Sequence, residues 1–186
     1  MKIWIIAAIL VGALLVLWVG WGSYVILTTE RPPYQVLRKL TSRVEIRLYD
    51  AQTWISTDGA SDDSSFRVLA SYIFGQNREG EKVAMTAPVI TDEKMVFILP
   101  AGITPRNAPT PDGQSIEFVE VPQRKLAALR FSWTTSEERV AKKTGQLMGV
   151  LRANGVQTKG KPFLMRYNDP GTPPFMRRNE VAIEVE

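Results

Sequence analysis

The 186-residue chain has neither histidine nor cysteine. The first absence removes Ser–His and Cys–His nucleophilic pairs and every imidazole metal ligand. The second removes thiolate ligands, thiol chemistry and disulfide staples, and fits an oxidising or a reducing compartment alike. No G-x-G-x-x-G or G-x-x-x-x-G-K-[ST] stretch occurs, so no phosphate-cradling loop is signalled. The acidic pairs Asp62-Asp63 and Glu137-Glu138 stand where helices begin. Capping and dipole compensation explain them better than acid–base catalysis. These gaps point away from an enzyme. Blocks of one charge sign are missing as well. The net charge of +4 is spread along the chain, so nucleic-acid binding is not expected.

One stretch lacks charge altogether. Ile3–Leu27 is 25 residues without a charged side chain, and about 20 suffice to cross a bilayer as a helix. Trp4 marks one end and Trp18, Trp21 and Tyr24 the other, in the manner of interfacial aromatic belts. Residues 3–27 are therefore expected to form an N-terminal transmembrane anchor. The competing reading is a cleaved signal peptide. Its apolar core is usually about 7–15 residues and ends in a small-residue cleavage site, and neither fits here. Orientation follows less directly. Arg31, Arg38, Lys39 and Arg43 after the span outweigh Lys2 before it. A domain of this size is translocated largely regardless of such charges, so an extracytoplasmic, periplasmic-side domain is expected.

Beyond a linker at 28–33, stiffened by Pro32-Pro33, a single domain is expected over 34–186. Val44–Tyr49 alternates apolar and polar residues as a strand, and Thr53–Thr57 follows as a second. Phe66, Leu69 and Ile73 with Val68 and Tyr72 keep helical spacing, which predicts a helix over Ser64–Phe74 closed by Gly75. Val83–Thr91 and Met95–Leu99 return as strands, with Pro88 as a break or edge. The order then recurs: strands Ile116–Val121 and Lys125–Trp133, a helix opened by Ser136, and strands Phe163–Tyr167 and Val181–Val185. Repeats of about 34–100 and 114–186 are joined by the proline-rich connector Pro100–Gly113. The result is an α+β fold of two pseudo-symmetric strand–strand–helix–strand–strand units. Arg177-Arg178-Asn179-Glu180 has two readings: a charged cluster anchoring the last strand, or an arginine clamp for a ligand carboxylate.

Five ordered pieces give the soluble region a resemblance. They are V-E-I-R-L-Y (44–49) with Trp54, Y-I-F-G-Q-N (72–77), K-V-A-M-T-A-P-V (82–89), F-I-L-P (97–100), and Y-N-D-P-G-T-P-P-F (167–175) with R-R-N-E-V (177–181). Together they resemble the SOUL heme-binding protein family. The resemblance implies a distorted β-barrel of two repeats, similar to effector-binding domains of the gyrase-inhibitory-protein type. It also implies heme or another tetrapyrrole as ligand, in an open apolar groove beside the first helix. Carried over by position, Phe66, Arg67, Ala70, Ser71, Phe74, Phe175 and Met176 would form that groove. Arg67 and Arg78 are candidates to meet propionates. A branch of the family has histidine where this chain has Leu48, so an axial ligand would fall to Tyr72 or Met176, or be absent. The function expected is a membrane-anchored, non-catalytic carrier or buffer for heme or a related tetrapyrrole. The alternative is a module for another amphipathic small molecule or a protein partner on the same scaffold.

Overall fold

The structure is a computed structural model describing residues 2–59, 61–113 and 115–186. Gln114, where the second repeat is expected to begin, lies outside the described residues. The chain opens with helix α1 (Lys2–Thr28) and strands β1 (Tyr34–Lys39), β2 (Val44–Tyr49) and β3 (Gln52–Thr57). Helix α2 (Asp62–Ile73), β4 (Val89–Thr91) and β5 (Met95–Ile98) complete the first half. The second half is β6 (Glu117–Val121), β7 (Arg124–Phe131), α3 (Glu137–Ala153), β8 (Thr158–Arg166), a 3-10 turn at Pro174–Met176 and β9 (Asn179–Val185).

All nine described strands join one antiparallel sheet, in the order β1-β2-β7-β9-β8-β4-β5-β3-β6. The two repeats are visible in this order. Exchanging β2 with β6, β3 with β7, β4 with β8 and β5 with β9 reproduces every pairing apart from that of the extra strand β1. Each repeat lends its first strand to the other: β2 pairs with β7, and β6 pairs with β3. The expected barrel is corrected. The edges β1 and β6 do not meet, so the sheet stays open.

Each helix covers its own repeat. Leu147 and Leu151 of α3 bury against Val44, Leu129, Phe131, Val181 and Ile183. Leu69, Tyr72 and Ile73 of α2 bury against Ile55, Met95 and Phe97. The start of α2 is set by a capping box. Ser61 Oγ accepts from the Ser64 amide, and Ser64 Oγ accepts from the Ser61 amide. The helix therefore begins two residues before the expected Ser64. After it, Gly75 takes φ +102°, a region that a side chain disfavours.

The segment Lys82–Pro88 is not the strand expected. Only Val89–Thr91 enters the ladder, and the Ala87–Pro88 peptide is cis. The segment instead fastens the chain that follows α1. The Ala87 amide donates to the Glu30 carbonyl at 2.8 Å, and the Thr86 hydroxyl donates to the Ile98 carbonyl of β5.

Helix α1 is long and apolar enough to cross a membrane, and it is exposed from Ile3 to Trp21. Its C-terminal part touches the domain. Trp18 Nε1 donates to the Gly171 carbonyl at 2.7 Å. Gly22 is buried beneath Pro173 and Met176, so tightly that an added Cβ would lie 2.7 Å from Pro173 Cδ.

Candidate functional site

Five of the expected site residues come together on α2. Phe66, Ala70 and Phe74 recur every fourth residue and so stand on one side of the helix. Both rings are substantially exposed, at 40% for Phe66 and 59% for Phe74. Ala70 between them is small and buried in the core. At about 1.5 Å per residue the stripe runs about 12 Å. Phe66 is steadied by an edge contact with Phe97 at 5.4 Å between ring centres. Arg67, exposed, and Ser71, half-buried, flank the stripe.

Tyr72 is directed elsewhere. It is fully buried, its hydroxyl donates to the Pro109 carbonyl at 2.7 Å, and its ring meets Phe118 edge-on. Burial, with Glu79 and Glu81 nearby, pushes that hydroxyl up to about 12. The axial-ligand expectation for Tyr72 is thus corrected: its oxygen is committed inside the core and is not presented to the stripe. Phe175 and Met176 rest on a different support. Phe175 is half-exposed, and the Met176 sulfur lies beside Gly22 of α1.

A second concavity, of about 510 Å³, lies under the chain that leaves α1. Its walls are Glu30, Pro32 and Pro33, the β2–β3 turn, residues 98–104 and the β6–β7 turn. Thr86 reaches its floor, so the K-V-A-M-T-A-P-V and F-I-L-P motifs both contribute to it. The lining is mainly apolar, and it carries the carboxylates of Glu30, Asp50 and Glu120 and no cation. Sequence reading missed this cleft because its walls come from separate segments. The clue available was that both motifs fell around an unexplained break at Pro88.

The R-R-N-E segment resolves as architecture. Glu180 has no exposed surface. It accepts from Arg47 at 2.7 and 3.1 Å, from Arg178 at 2.9 Å and from the Tyr167 hydroxyl at 2.9 Å. Arg47 stacks on Tyr34 and Arg178 on Tyr167, with 4.5 and 4.0 Å from guanidinium carbon to ring centre. Burial alone would raise the Glu180 carboxyl, but hydrogen bonds and charge from Arg47, then Arg178, outweigh it and hold the group below its ordinary value. Burial and the Glu180 charge push the Tyr167 hydroxyl well up. Arg177 spends its donors on the Thr172 and Pro170 carbonyls. No arginine clamp for a ligand carboxylate is assembled. Among the described residues no group of acidic side chains is placed to hold a metal ion.

Comparison with known families places this geometry. The model described as SOUL heme-binding protein matches residues 29–184. The chain belongs to that family. Among solved structures, the C-terminal domain of EcmrR is similar, with a TM-score of 0.55, 16% identity, and coverage of 82% of this chain and 98% of that one. EcmrR in a complex with DNA matches at a TM-score of 0.56 and 15% identity, covering 77% of this chain and 57% of that one. A protein from Listeria innocua described as a hydrolase matches at 0.51 and 11% identity, covering 77% and 92%. At these identities the likeness is one of fold. Among curated proteins, no relative was found. The SOUL domain here thus keeps the family scaffold while lacking any histidine to ligate heme iron.

Proposed function

We propose that the chain is a single-pass, membrane-anchored, non-catalytic carrier or buffer for heme or a related tetrapyrrole, held on the outer face of α2. The observation that carries this is the pair of exposed rings Phe66 and Phe74, either side of the buried Ala70 and beside Arg67, on a SOUL domain. Two exposed rings with a small residue between them suit the face of a flat macrocycle. Arg67, and Arg78 in the turn after the helix, suit its carboxylates. The iron is another matter. The only hydroxyl at the stripe, that of Ser71, donates to the Val68 carbonyl at 2.8 Å, and no imidazole or thiolate exists. These residues fit the macrocycle and leave the iron without a protein ligand.

The test is a titration of the full chain in detergent with heme and with metal-free protoporphyrin, followed by absorbance and by tryptophan quenching. The two dissociation constants are expected to agree within about threefold, and bound heme is expected to lack the spectrum of a strongly ligated iron. Heme binding more than tenfold tighter would show an iron ligand that this reading excludes.

The cleft under the chain that leaves α1 favours a second reading. Three carboxylates without a cation suit an amphipathic small molecule with a cationic head. In that case a lipophilic cation saturates the protein while protoporphyrin does not, and replacing Glu30 and Glu120 by glutamine weakens it.

The anchor reading puts α1 in the bilayer with the domain on the extracytoplasmic side. A phosphatase reporter that works only outside the cytoplasm, fused after Glu186, is expected to be active. An inactive fusion, with an active cytoplasmic reporter in its place, would reverse the orientation.

A further inference from the structure

A pocket of about 460 Å³ lies where the start of β2, the end of β7 and the first turns of α3 meet. Its charged lining is Arg43, Arg130, Arg139 and Lys143, with no carboxylate among them. Glu137 and Glu138, which directly precede Arg139 on α3, do not line it. Arg139 and Lys143 are four apart on the helix and share a face, an arrangement that costs stability between like charges. Arg139 donates from Nη2 to the Ser132 carbonyl at 3.1 Å, while its Nε is buried with no acceptor among the described residues. A buried donor left unpaired is unfavourable. Burial first, then the charges of Arg139, Arg43 and Lys142, hold the Lys143 ammonium below its ordinary value. The cluster is therefore one that an anion would relieve.

The pocket's surroundings say where that anion comes from. Trp133, in its wall, takes φ +77° and is half-exposed. Such a backbone is unfavourable for a side chain this bulky. Both of its backbone polar groups hold it there: its amide donates to the Pro174 carbonyl, and its carbonyl accepts from Asn179 Nδ2, each at 2.9 Å. Pro174 belongs to the turn that rests on α1 at Gly22, next to the half-exposed Phe175. From Ile3 to Gly22 is about 30 Å of helix, the thickness of a bilayer's hydrocarbon. With α1 inserted as proposed above, the turn, Trp133 and the pocket stand at headgroup level.

We propose that the Arg43–Arg139–Lys143 pocket binds the phosphate of an anionic membrane lipid, with Trp133 and Phe175 lying in the interface beside it. The ligand class is a phosphodiester carried on acyl chains, and the pocket's role is to seat the SOUL domain on an anionic bilayer surface.

The full chain in neutral detergent is titrated with dihexanoyl phosphatidylglycerol, dihexanoyl phosphatidylcholine and inorganic phosphate, and the thermal midpoint of the domain is followed. A saturable rise is expected with phosphatidylglycerol and none with phosphatidylcholine. Arg139→Gln/Lys143→Gln is expected to weaken it at least tenfold. Arg43→Gln, at an exposed position, is expected to weaken it about threefold, and it carries the test if the double variant does not fold by circular dichroism. Lys159→Gln/Lys161→Gln, two exposed lysines on β8, serves as control and leaves the affinity unchanged. Equal rises with both lipids overturn the proposal, as does an Arg139→Gln/Lys143→Gln or Arg43→Gln variant that binds like the parent. Inorganic phosphate binding as tightly as the lipid overturns the lipid assignment. None of these readouts depends on tetrapyrrole binding.

Discussion

Glu180→Ala is expected to destabilise the domain by about 3–5 kcal/mol, because it leaves the half-buried guanidinium of Arg178 without its counter-charge and the buried one of Arg47 with only Glu45 at its Nε. For a domain of this size that is a fall of about 10 °C or more in the thermal midpoint. Glu180→Gln keeps the shape and part of the hydrogen bonding, and is expected to fall between the variant and the parent. The loss depends on pH. Glu180 is held below the ordinary carboxylate value in the folded chain, whereas unfolded it titrates near about 4.3. A depressed carboxyl stabilises fully above its unfolded value, and the contribution fades as pH falls through the folded one. The gap between parent and Glu180→Ala is therefore widest at neutral pH and narrows below about pH 4. Thermal melts at pH 7 and pH 3 measure it. A variant within 1 kcal/mol of the parent at pH 7 would show that the cluster is dispensable.

Phe66→Ser/Phe74→Ser is expected to weaken tetrapyrrole binding about 100-fold. Covering an exposed aromatic ring contributes about 1.5 kcal/mol at the low end, and two such rings give about 3 kcal/mol. Arg67→Glu touches only a rim charge and is expected to weaken binding less than tenfold. Both rings are largely outside the core, so the variant should melt close to the parent, and that control separates lost binding from lost folding. Protoporphyrin titration reads the effect. Affinity retained within threefold would move the ligand off α2 and towards the cleft under the chain that leaves α1.

How much of this was legible follows the physics of each signal. The long apolar N-terminal helix, the two domain helices and the two-repeat order were legible because long apolar runs and 3.6-residue spacing are strong local signals. The Phe66–Phe74 stripe could be found because it lies within one helix. β1 was not legible. Its sequence Y-Q-V-L-R-K is mostly solvent-exposed and becomes a strand only by pairing with β2. The burial of Arg47 was hidden for a related reason. Alternation in Val44–Tyr49 marks one apolar face, and nothing local says that the opposite face is closed by Glu180, some 130 residues on. The open sheet also lay beyond reach, since closure depends on whether β1 and β6 meet. Motif recognition found Lys82–Val89 but not its work, because its partners Glu30 and Ile98 are distant in sequence.

The strand order has a consequence for how the protein is made. β9, which follows every other strand in the chain, sits between β7 and β8 near the middle of the sheet. Until β9 has left the ribosome, β7 has only β2 and β8 has only β4 to pair with. At about 5–20 residues per second, α1 emerges on the order of ten seconds earlier. The newborn chain thus carries α1 while the facing edges of β7 and β8 wait bare. Losing even the last few residues would keep them so.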